Sequence, residues 1–478
     1  GAAAMALALA AAPAAPGGCP GADGDSLRDS YSCQADDGST SDRKREAAML
    51  FSVAEGHLED GSIEEALSSA VDALHVFREM DDLKGVADVT RIIIHAYRQM
   101  ASVLRDQEDY KESEDRLRTA LAVAQEEMEL FRSADDRRGQ ALMHLSIAEL
   151  NIENRERDQS YDALDSAEDA LNLFRELGDE KKEAAALFAM SRVYIKRNNF
   201  HFARRLGTEA VEAYKKVGDG KGEVEAWENL ARTAAQEFCY DEALRCARKG
   251  LKLAQELGIT RLEAGLLFSI AEWSLLKGYA QNALQPARMA LTSFQKLDDG
   301  RGHEAAAVSL IAEAHMQMNE KETALQVVRD ALNAMREKDD LREVARCLLY
   351  LGVVHERSGQ HEEAMVALTE AVLTCQQMGF KRLESRLQET LAYVYASLKQ
   401  PDEAKKCAKA AVGLLRELNL LEHECKGRLF IEARICVAVE DYAGAAQAAD
   451  EGLKLARDIG DPKLEGQAML AVCTCCLT

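Results

Sequence analysis

Proline and aromatic residues are both scarce in this sequence. Six prolines are spread over 478 residues, which leaves long stretches free to be helical. Aromatic residues make up 5% of the chain, although apolar residues reach 47%, enough to bury a core. No segment keeps the alternating apolar pattern of a β-strand. The sequence therefore predicts an all-α protein.

Positive charge and long apolar runs are also in short supply. The 59 lysines and arginines are outnumbered by 82 acidic residues, giving a formal net charge of −23. Nucleic-acid binding needs concentrated basic residues, so the charge argues against that function and favours basic partners. Residues 43–478 contain no run of 18 or more apolar residues, which argues against a membrane span there.

The residue patterns that carry catalysis are missing too. No Ser/His/Asp or Cys/His arrangement and no phosphate-binding glycine loop is legible, so we expect no enzymatic activity and no cofactor. The twelve cysteines are interpreted as reduced packing residues rather than disulfides. Cys473, Cys475 and Cys476 lack a fourth ligand and the usual Cys-x-x-Cys spacing of a zinc site, so no metal site is predicted.

What the sequence does have is an alanine that returns every 40 or 41 residues from Ala203 onward. A second small residue stands twelve positions before each such alanine, and a third stands seven positions after it, as with Ala231 and Gly250 around Ala243. Such spacing lets two helices pack closely within each unit of an array. The repeat alanines are Ala66, Ala163, Ala203, Ala243, Ala283, Ala324, Ala364, Ala404 and Ala445.

The spacing also predicts the domain boundaries. We expect residues 1–42 to be disordered, residues 43–463 to form ten helix pairs, and residues 464–478 to form a capping helix or a truncated eleventh repeat. Steps of 47 and 50 residues on either side of Ser113 predict lengthened helices or loops around 86–110 and 125–158. Glycine followed by aspartate, as at Gly178 and Gly218, is expected to end one helix and cap the next.

The pattern resembles the tetratricopeptide repeat. The best match consists of Leu348, Leu351, Gly352, His355, Gly359, Ala364 and Ala371. The period of 40 rather than 34 residues, with Gly-Asp joints, is similar to the long repeats of Pins-type scaffolds and kinesin light chains. This resemblance implies an α-solenoid of about ten antiparallel helix pairs, wound as a right-handed superhelix with a concave groove. It also places His57, His315 and His355 in the core between paired helices.

The same resemblance places partner-binding residues on the groove side of the first helix of each unit. Arg192 and Arg232 are candidates to receive a carboxylate, and Asn229 is a candidate to hold an extended backbone. The alternative interpretation is that all of these are ordinary solvated residues without a role in binding. The known carboxylate clamp is not matched. The predicted groove residues are Phe188, Arg192, Lys196, Glu225, Asn229, Arg232, Gln236, Phe268 and Glu272.

Further along the chain the predicted groove changes character. Glu313 and Glu389 make it acidic, and Val353 and Tyr393 make it apolar. A groove with basic, acidic and apolar stretches suits a long extended ligand better than a compact one.

These observations favour a non-catalytic scaffold or adaptor that binds partner proteins or peptides. Two alternatives remain open: a peptide- or ligand-responsive sensor, and a structural subunit of a larger cytoskeletal or motor assembly. A cytoplasmic location is expected. The alanine-rich start of the chain leaves a targeting role or an incomplete reading frame as alternatives, although no basic residue precedes it.

Overall fold

The computed structural model describes residues 24–36, 41–154, 159–297 and 303–477, and within these ranges it is built of helices without a β-strand. This agrees with the predicted all-α class. No helix in the described ranges is long and apolar enough to cross a membrane. The described residues fall into two compact units, which we name the N-terminal unit, ending at Trp273, and the C-terminal unit, beginning at Ser274.

The N-terminal unit opens with one short helix and continues as helix pairs. Neighbouring helices pack against one another along the chain, and the successive first helices between residues 42 and 236 also contact each other. The helices are α1 (Gly24–Asp36), α2 (Asp42–Glu59), α3 (Ile63–Glu79), α4 (Leu83–Asp106), α5 (Tyr110–Ser133), α6 (Arg137–Glu153), α7 (Gln159–Leu177), α8 (Glu180–Lys196), α9 (Phe200–Val217), α10 (Gly220–Gln236), α11 (Tyr240–Leu257) and α12 (Thr260–Leu276), the unit boundary falling in the last turn of α12.

The C-terminal unit repeats the same plan. Its helices are α13 (Ala280–Gln295), α14 (Glu304–Gln317), α15 (Lys321–Glu337), α16 (Leu341–Arg357), α17 (His361–Met378), α18 (Lys381–Ser397), α19 (Pro401–Glu417), α20 (Leu421–Gly427), α21 (Ala433–Ala438), α22 (Tyr442–Ile459) and α23 (Pro462–Leu477), with a π-helical turn at Arg428–Glu432 between α20 and α21. The predicted terminal helix is thus α23, which begins at Pro462.

The structure differs from the prediction of disorder at the start of the chain. Residues 24–36 form α1, which packs against α2. Tyr31 is buried, its ring lies 4.1 Å from that of Phe51, and its hydroxyl donates to Asp88 at 3.1 Å. A single tyrosine thus gives this polar segment a buried anchor that its composition did not reveal. The rest of that prediction, residues 1–23 and 37–40, lies outside the described residues.

The repeat alanines lie where the two helices of a unit meet. All nine, from Ala66 to Ala445, have no exposed surface. In two units, a hydrogen bond joins the repeat position to the companion twelve residues before it. The Ser191 hydroxyl donates to the Ala203 carbonyl at 2.8 Å, and the Ser113 hydroxyl donates to the Ala101 carbonyl at the same distance. Small residues at these places therefore set how closely the helices approach.

The joints between units follow the predicted Gly-Asp chemistry. Gly178 and Gly218 adopt left-handed backbone conformations with φ of 68° and 76°. Asp179 then accepts from the Lys182 amide at 3.1 Å, and Asp219 accepts from the Gly222 amide at 3.0 Å. Each aspartate satisfies one of the amides that a helix start leaves without a partner.

The lengthened steps near the start of the array are accounted for partly by longer helices. Helices α4 and α5 each have 24 residues, whereas α8 has 17 and α9 has 18. The predicted extension around 125–158 includes residues 155–158, which lie outside the described ranges.

A further packing contact recurs at three joints of the N-terminal unit. An aromatic ring at the end of a second helix lies directly on a glycine in the following first helix, so close that an added Cβ atom would lie within 2.2 to 2.4 Å of the ring. The pairs are Phe77 on Gly85, Phe131 on Gly139, and Tyr214 on Gly222. Because Tyr214 is fixed in this way, its ring lies beside the first turns of α10.

Candidate functional site

The predicted groove residues of the N-terminal unit lie on three consecutive first helices. Helix α8 carries three of them, α10 carries four and α12 carries two. Most are separated by three or four residues on their own helix, which places them on one side of it. Helices α8 and α10 contact each other directly. We call this surface of α8, α10 and α12 the groove face.

On α8, an arginine lies beside a buried aromatic ring. Phe188 is only 6% exposed, and its ring meets that of Tyr214 edge-on at 6.3 Å, so it belongs to the core more than to an open apolar patch. The Arg192 guanidinium carbon lies 5.9 Å from the centre of the Phe188 ring. Arg192 is half-buried and makes no hydrogen bond or ion pair with any described residue. Its guanidinium is therefore available to a ligand.

Lys196 is engaged within the chain. Its Nζ donates to the carbonyl of Asn151 at 2.9 Å and also to that of Asn154, at the C-terminal end of α6. Burial lowers the pKa of Lys196 to about 8. This lysine satisfies carbonyls that the end of α6 leaves open and holds α8 against α6.

Glu225, on α10, is the most unusual member of the groove face. It is 5% exposed, and its Oε1 atom has no hydrogen-bond partner among the described residues. Burial raises the pKa of Glu225 to about 8, and the nearby charge of Glu228 adds to the rise, while the charges of Lys221 and Arg192 oppose it. Glu225 is therefore mostly protonated at neutral pH.

Asn229 and Arg232 are less available than the sequence suggests. Asn229 is buried and donates from Nδ2 to the Ser191 hydroxyl at 3.0 Å, linking α10 to α8. Arg232 donates to Glu228 at 2.6 Å, one turn away on the same helix. The two arginines expected to bind a carboxylate therefore differ in availability, since Arg192 has no ion pair with a described residue and Arg232 has one. Gln236, at the end of α10, is exposed.

Helix α12 contributes an apolar and an acidic side chain. Phe268 is 9% exposed, which makes it largely a packing residue. Glu272 follows one turn later, and burial raises its pKa to about 7. Glu272 therefore titrates near neutrality and does not act as a fixed negative charge.

Lys221 was not predicted from the sequence, although it lies one turn before Glu225 on α10. It is half-buried and makes no hydrogen bond or ion pair with any described residue. Its charge lowers the pKa of Glu225 and also that of His95 on α4. The i, i+4 spacing from Glu225 is the sequence signal that was available for it.

A buried ionic network lies toward α4 and α6. Arg98, 2% exposed, donates to Glu149 at 2.6 Å and to Glu153 at 2.5 and 2.9 Å. The Arg98 guanidinium outweighs burial and holds the pKa of Glu153 below its usual range. Burial, with the charge of Arg98, lowers the pKa of His95 to about 3. Arg98 thus joins α4 to α6 through these two carboxylates, while Glu153 Oε2 has no hydrogen bond and lies 3.5 Å from Arg105.

In the C-terminal unit, the predicted acidic stretch is largely neutralised. Glu313 pairs with Arg357 and accepts from Gln317 at 2.9 Å. Burial raises the pKa of Glu389. The Tyr393 hydroxyl donates to the Phe430 carbonyl at 3.2 Å. Val353 is half-buried.

Two of the three histidines predicted to lie in the core are buried, as are five of the nine described thiols. His315 and His355 are buried, as the repeat position predicts, and His57 is half-buried. Burial raises the pKa of the Cys347 thiol to about 12. Cys473 is exposed, and nothing is described of the side chains of the two cysteines that follow it. Among the described side chains, no group of three or more His, Cys, Asp or Glu has the arrangement of a metal site.

Comparison with known proteins agrees with this architecture. Residues 281–466 match the family model described as soluble NSF attachment protein, SNAP. The paired helices and the buried small residues decide the fold class. The chain is an all-α helical-repeat protein. No curated protein sequence matches it.

Solved structures of low sequence identity resemble the fold. Yeast Tom70 is 12% identical, with a TM-score of 0.48, and the match covers 91% of this chain and 96% of that one. The quorum sensor NprR from B. thuringiensis is 17% identical, with a TM-score of 0.46 and coverage of 75% and 99%. BtubC from P. vanneervenii is 16% identical, with a TM-score of 0.38 and coverage of 46% and 92%.

Proposed function

We propose that this chain is a non-catalytic adaptor of the tetratricopeptide type, which holds an extended peptide segment of a partner protein on the groove face. The observation that carries the proposal is the buried Glu225 Oε1 atom, which has no hydrogen-bond partner among the described residues, together with the half-buried Arg192 guanidinium on the adjacent first helix, which has no ion pair there. Folded proteins pair nearly all their buried polar groups, because an unpaired one costs about 1–3 kcal/mol. A ligand that supplied the missing hydrogen bonds would recover that cost.

The dimensions favour an extended ligand. Packed helices lie about 8–10 Å apart, so α8, α10 and α12 together span roughly 18 Å. An extended peptide advances about 3.3 Å per residue, so five or six residues would cross the three helices. The groove face offers such a segment polar groups on α8 and α10, and the titratable Glu272 on α12.

The chemistry of the groove face supports binding rather than catalysis. Glu225 Oε1 is hydrogen-bonded to no nucleophile or base among the described residues, and Asn229 is already bonded to Ser191. General acid-base catalysis needs a proton donor or acceptor within hydrogen-bond reach of the reacting group. The groups present are suited to holding a polar chain in place.

A displayed library of random 12-residue peptides, selected on the full chain, tests this proposal. Selected peptides are measured by calorimetry against the full chain and against Arg192→Glu. We expect at least tenfold weaker binding to Arg192→Glu because the change reverses the charge at the unpaired cation. The matched control is Arg205→Glu, on the exposed side of α9, where Arg205 lies 3.5 Å from Glu209. Equal loss in both variants, or no loss in either, would refute binding at the groove face.

A further inference from the structure

The strongest unassigned feature of the groove face is a three-residue cluster, which we name the Lys221 cluster: Lys221, Glu225 and Arg192. Lys221 and Glu225 lie one turn apart on α10, and Arg192 on α8 is near enough for its charge to lower the pKa of Glu225. Neither cation has a hydrogen bond or ion pair with a described residue, and the buried Glu225 has an unpartnered Oε1. The cluster thus combines one buried oxygen that lacks a hydrogen-bond partner with two half-buried cations whose charge no described side chain pairs.

The acidic groups around the cluster are already engaged. Asp219 caps the start of α10 by accepting from the Gly222 amide at 3.0 Å. Glu228 accepts from Arg232 at 2.6 Å, and Glu149, which faces Tyr214 from α6, accepts from Arg98 at 2.6 Å.

The neutral groups around the cluster add no charge at neutral pH. On α9, the pKa of Tyr214 is held well above its usual value by burial and by the charge of Glu225. On α4, burial keeps His95 neutral, with its pKa near 3. The uncompensated charge at the cluster is therefore positive, in a chain whose formal net charge is −23.

Resting on the proposed function, we infer that the Lys221 cluster receives a carboxylate of the bound peptide, either an acidic side chain or the C-terminal group. The Arg192 guanidinium can donate two parallel N–H bonds to one carboxylate, and the Lys221 ammonium adds a third charged donor. Protonated Glu225 donates its O–H to the same ligand. No bond other than hydrogen bonds is made or broken.

Binding of this kind is coupled to the proton on Glu225. The carboxylate of the peptide binds the protonated form, so the affinity is highest below the Glu225 pKa of about 8 and falls as the pH rises through it. Since apparent affinity scales with the fraction of competent protein, raising the pH from 7 to 9 weakens binding about tenfold. An ammonium ligand would need ionised Glu225, and its affinity would rise over the same interval.

The experiment uses the library-selected peptides with the full chain. Each peptide is prepared in three forms: unchanged, with every Asp and Glu replaced by Asn and Gln, and with an amidated C-terminus. Affinities are measured by calorimetry at pH 7 and pH 9. We expect at least tenfold weaker binding for one of the two neutralised forms, and which form weakens identifies the source of the carboxylate.

Three variants complete the test. Arg192→Gln is expected to weaken binding about tenfold or more at pH 7, whereas Arg205→Gln, matched in chemistry but on α9, is not. Glu225→Gln keeps a permanent N–H donor, so the wild-type weakening between pH 7 and 9 should vanish and binding at pH 9 should exceed that of the wild type about tenfold.

The possible failures are distinguishable. Peptides that lose affinity with Arg192→Glu but keep it when all their carboxylates are neutralised would overturn the carboxylate assignment and leave the groove proposal standing. Affinity that rises toward pH 9 and is lost in Glu225→Gln would assign an ammonium ligand and also overturn it. Recovery of no peptide that depends on Arg192 would refute both proposals.

Discussion

The packing at Gly352 predicts that Gly352→Ala destabilises its helix pair when Leu368 is present and stabilises it when residue 368 is alanine. Gly352 stands in the middle of α16, at a companion place that holds alanine in most other units. A Cβ atom added there would lie 2.5 Å from Cγ and 2.6 Å from Cδ2 of Leu368, on α17. Leu368 has no exposed surface and so has little room to move. Gly352→Ala would therefore overpack the helix pair.

Two opposing effects decide the magnitude. Alanine in a helix interior is about 0.5–1 kcal/mol better than glycine. Overpacking a well-filled core costs about 1–3 kcal/mol. Gly352→Ala should therefore destabilise this helix pair by about 1 kcal/mol net. In a Leu368→Ala background, the clash is gone and only the helix propensity remains, so the same change should stabilise the pair by about 0.5–1 kcal/mol.

Hydrogen exchange measured by mass spectrometry over residues 341–378, and over 401–417 for the control, is the assay. It reports local opening, which suits a repeat array whose global unfolding need not be two-state. Gly413→Ala is the matched control, because Gly413 also lies inside a helix and an added Cβ there has nothing within 4 Å. It should stabilise α19 in any background. The packing argument fails if Gly352→Ala has the same sign and size with Leu368 and with alanine at 368.

Other predictions concern the N-terminal unit. Ala243→Trp should destabilise it by at least about 1–3 kcal/mol, because Ala243 is fully buried between paired helices. The neighbouring change Glu242→Gln should alter stability by no more than about 0.5 kcal/mol. Thermal denaturation followed by circular dichroism compares the two variants. Arg98→Ala should cost about 3–5 kcal/mol in urea denaturation, because it removes the cation paired with two largely buried carboxylates and leaves Glu153 only Arg105, at 3.5 Å. Glu225 is protonated in the fold up to a pKa of about 8, so wild-type stability should fall as the pH rises from 5 to 9, and Glu225→Gln should flatten that fall.

The sequence predicted those parts of the fold that depend on local spacing. The repeat alanines, the Gly-Asp joints and the helix pairs all follow from residues a few positions apart, as Gly218 and Asp219 illustrate. Helix α1 was missed because its anchor, Tyr31, gains its partners from α2, α3 and α4. The aromatic rings on glycine were missed too, although an aromatic residue eight positions before a glycine, as in Tyr214 and Gly222, was legible.

The position of the groove face was predictable from the sequence, but the hydrogen-bond partners and the protonation of its residues were not. The spacing of the sequence placed the nine residues on first helices. Whether each of them already has a hydrogen bond or ion pair depends on side chains from other turns and other helices. Arg232 is engaged by Glu228 and Asn229 by Ser191, while Arg192 has no such partner. The raised pKa of Glu225 comes mainly from burial, which is a property of the packed helices and not of their sequence.

The central claim is that a partner peptide lies on the groove face of the first helices. Hydrogen exchange of the full chain, with and without a library-selected peptide, tests it most directly. We expect slower exchange in α8 and α10, at residues 180–196 and 220–236, with little change in the second helices α9 and α11. Protection confined to α9 and α11, with none in α8 or α10, would contradict the account.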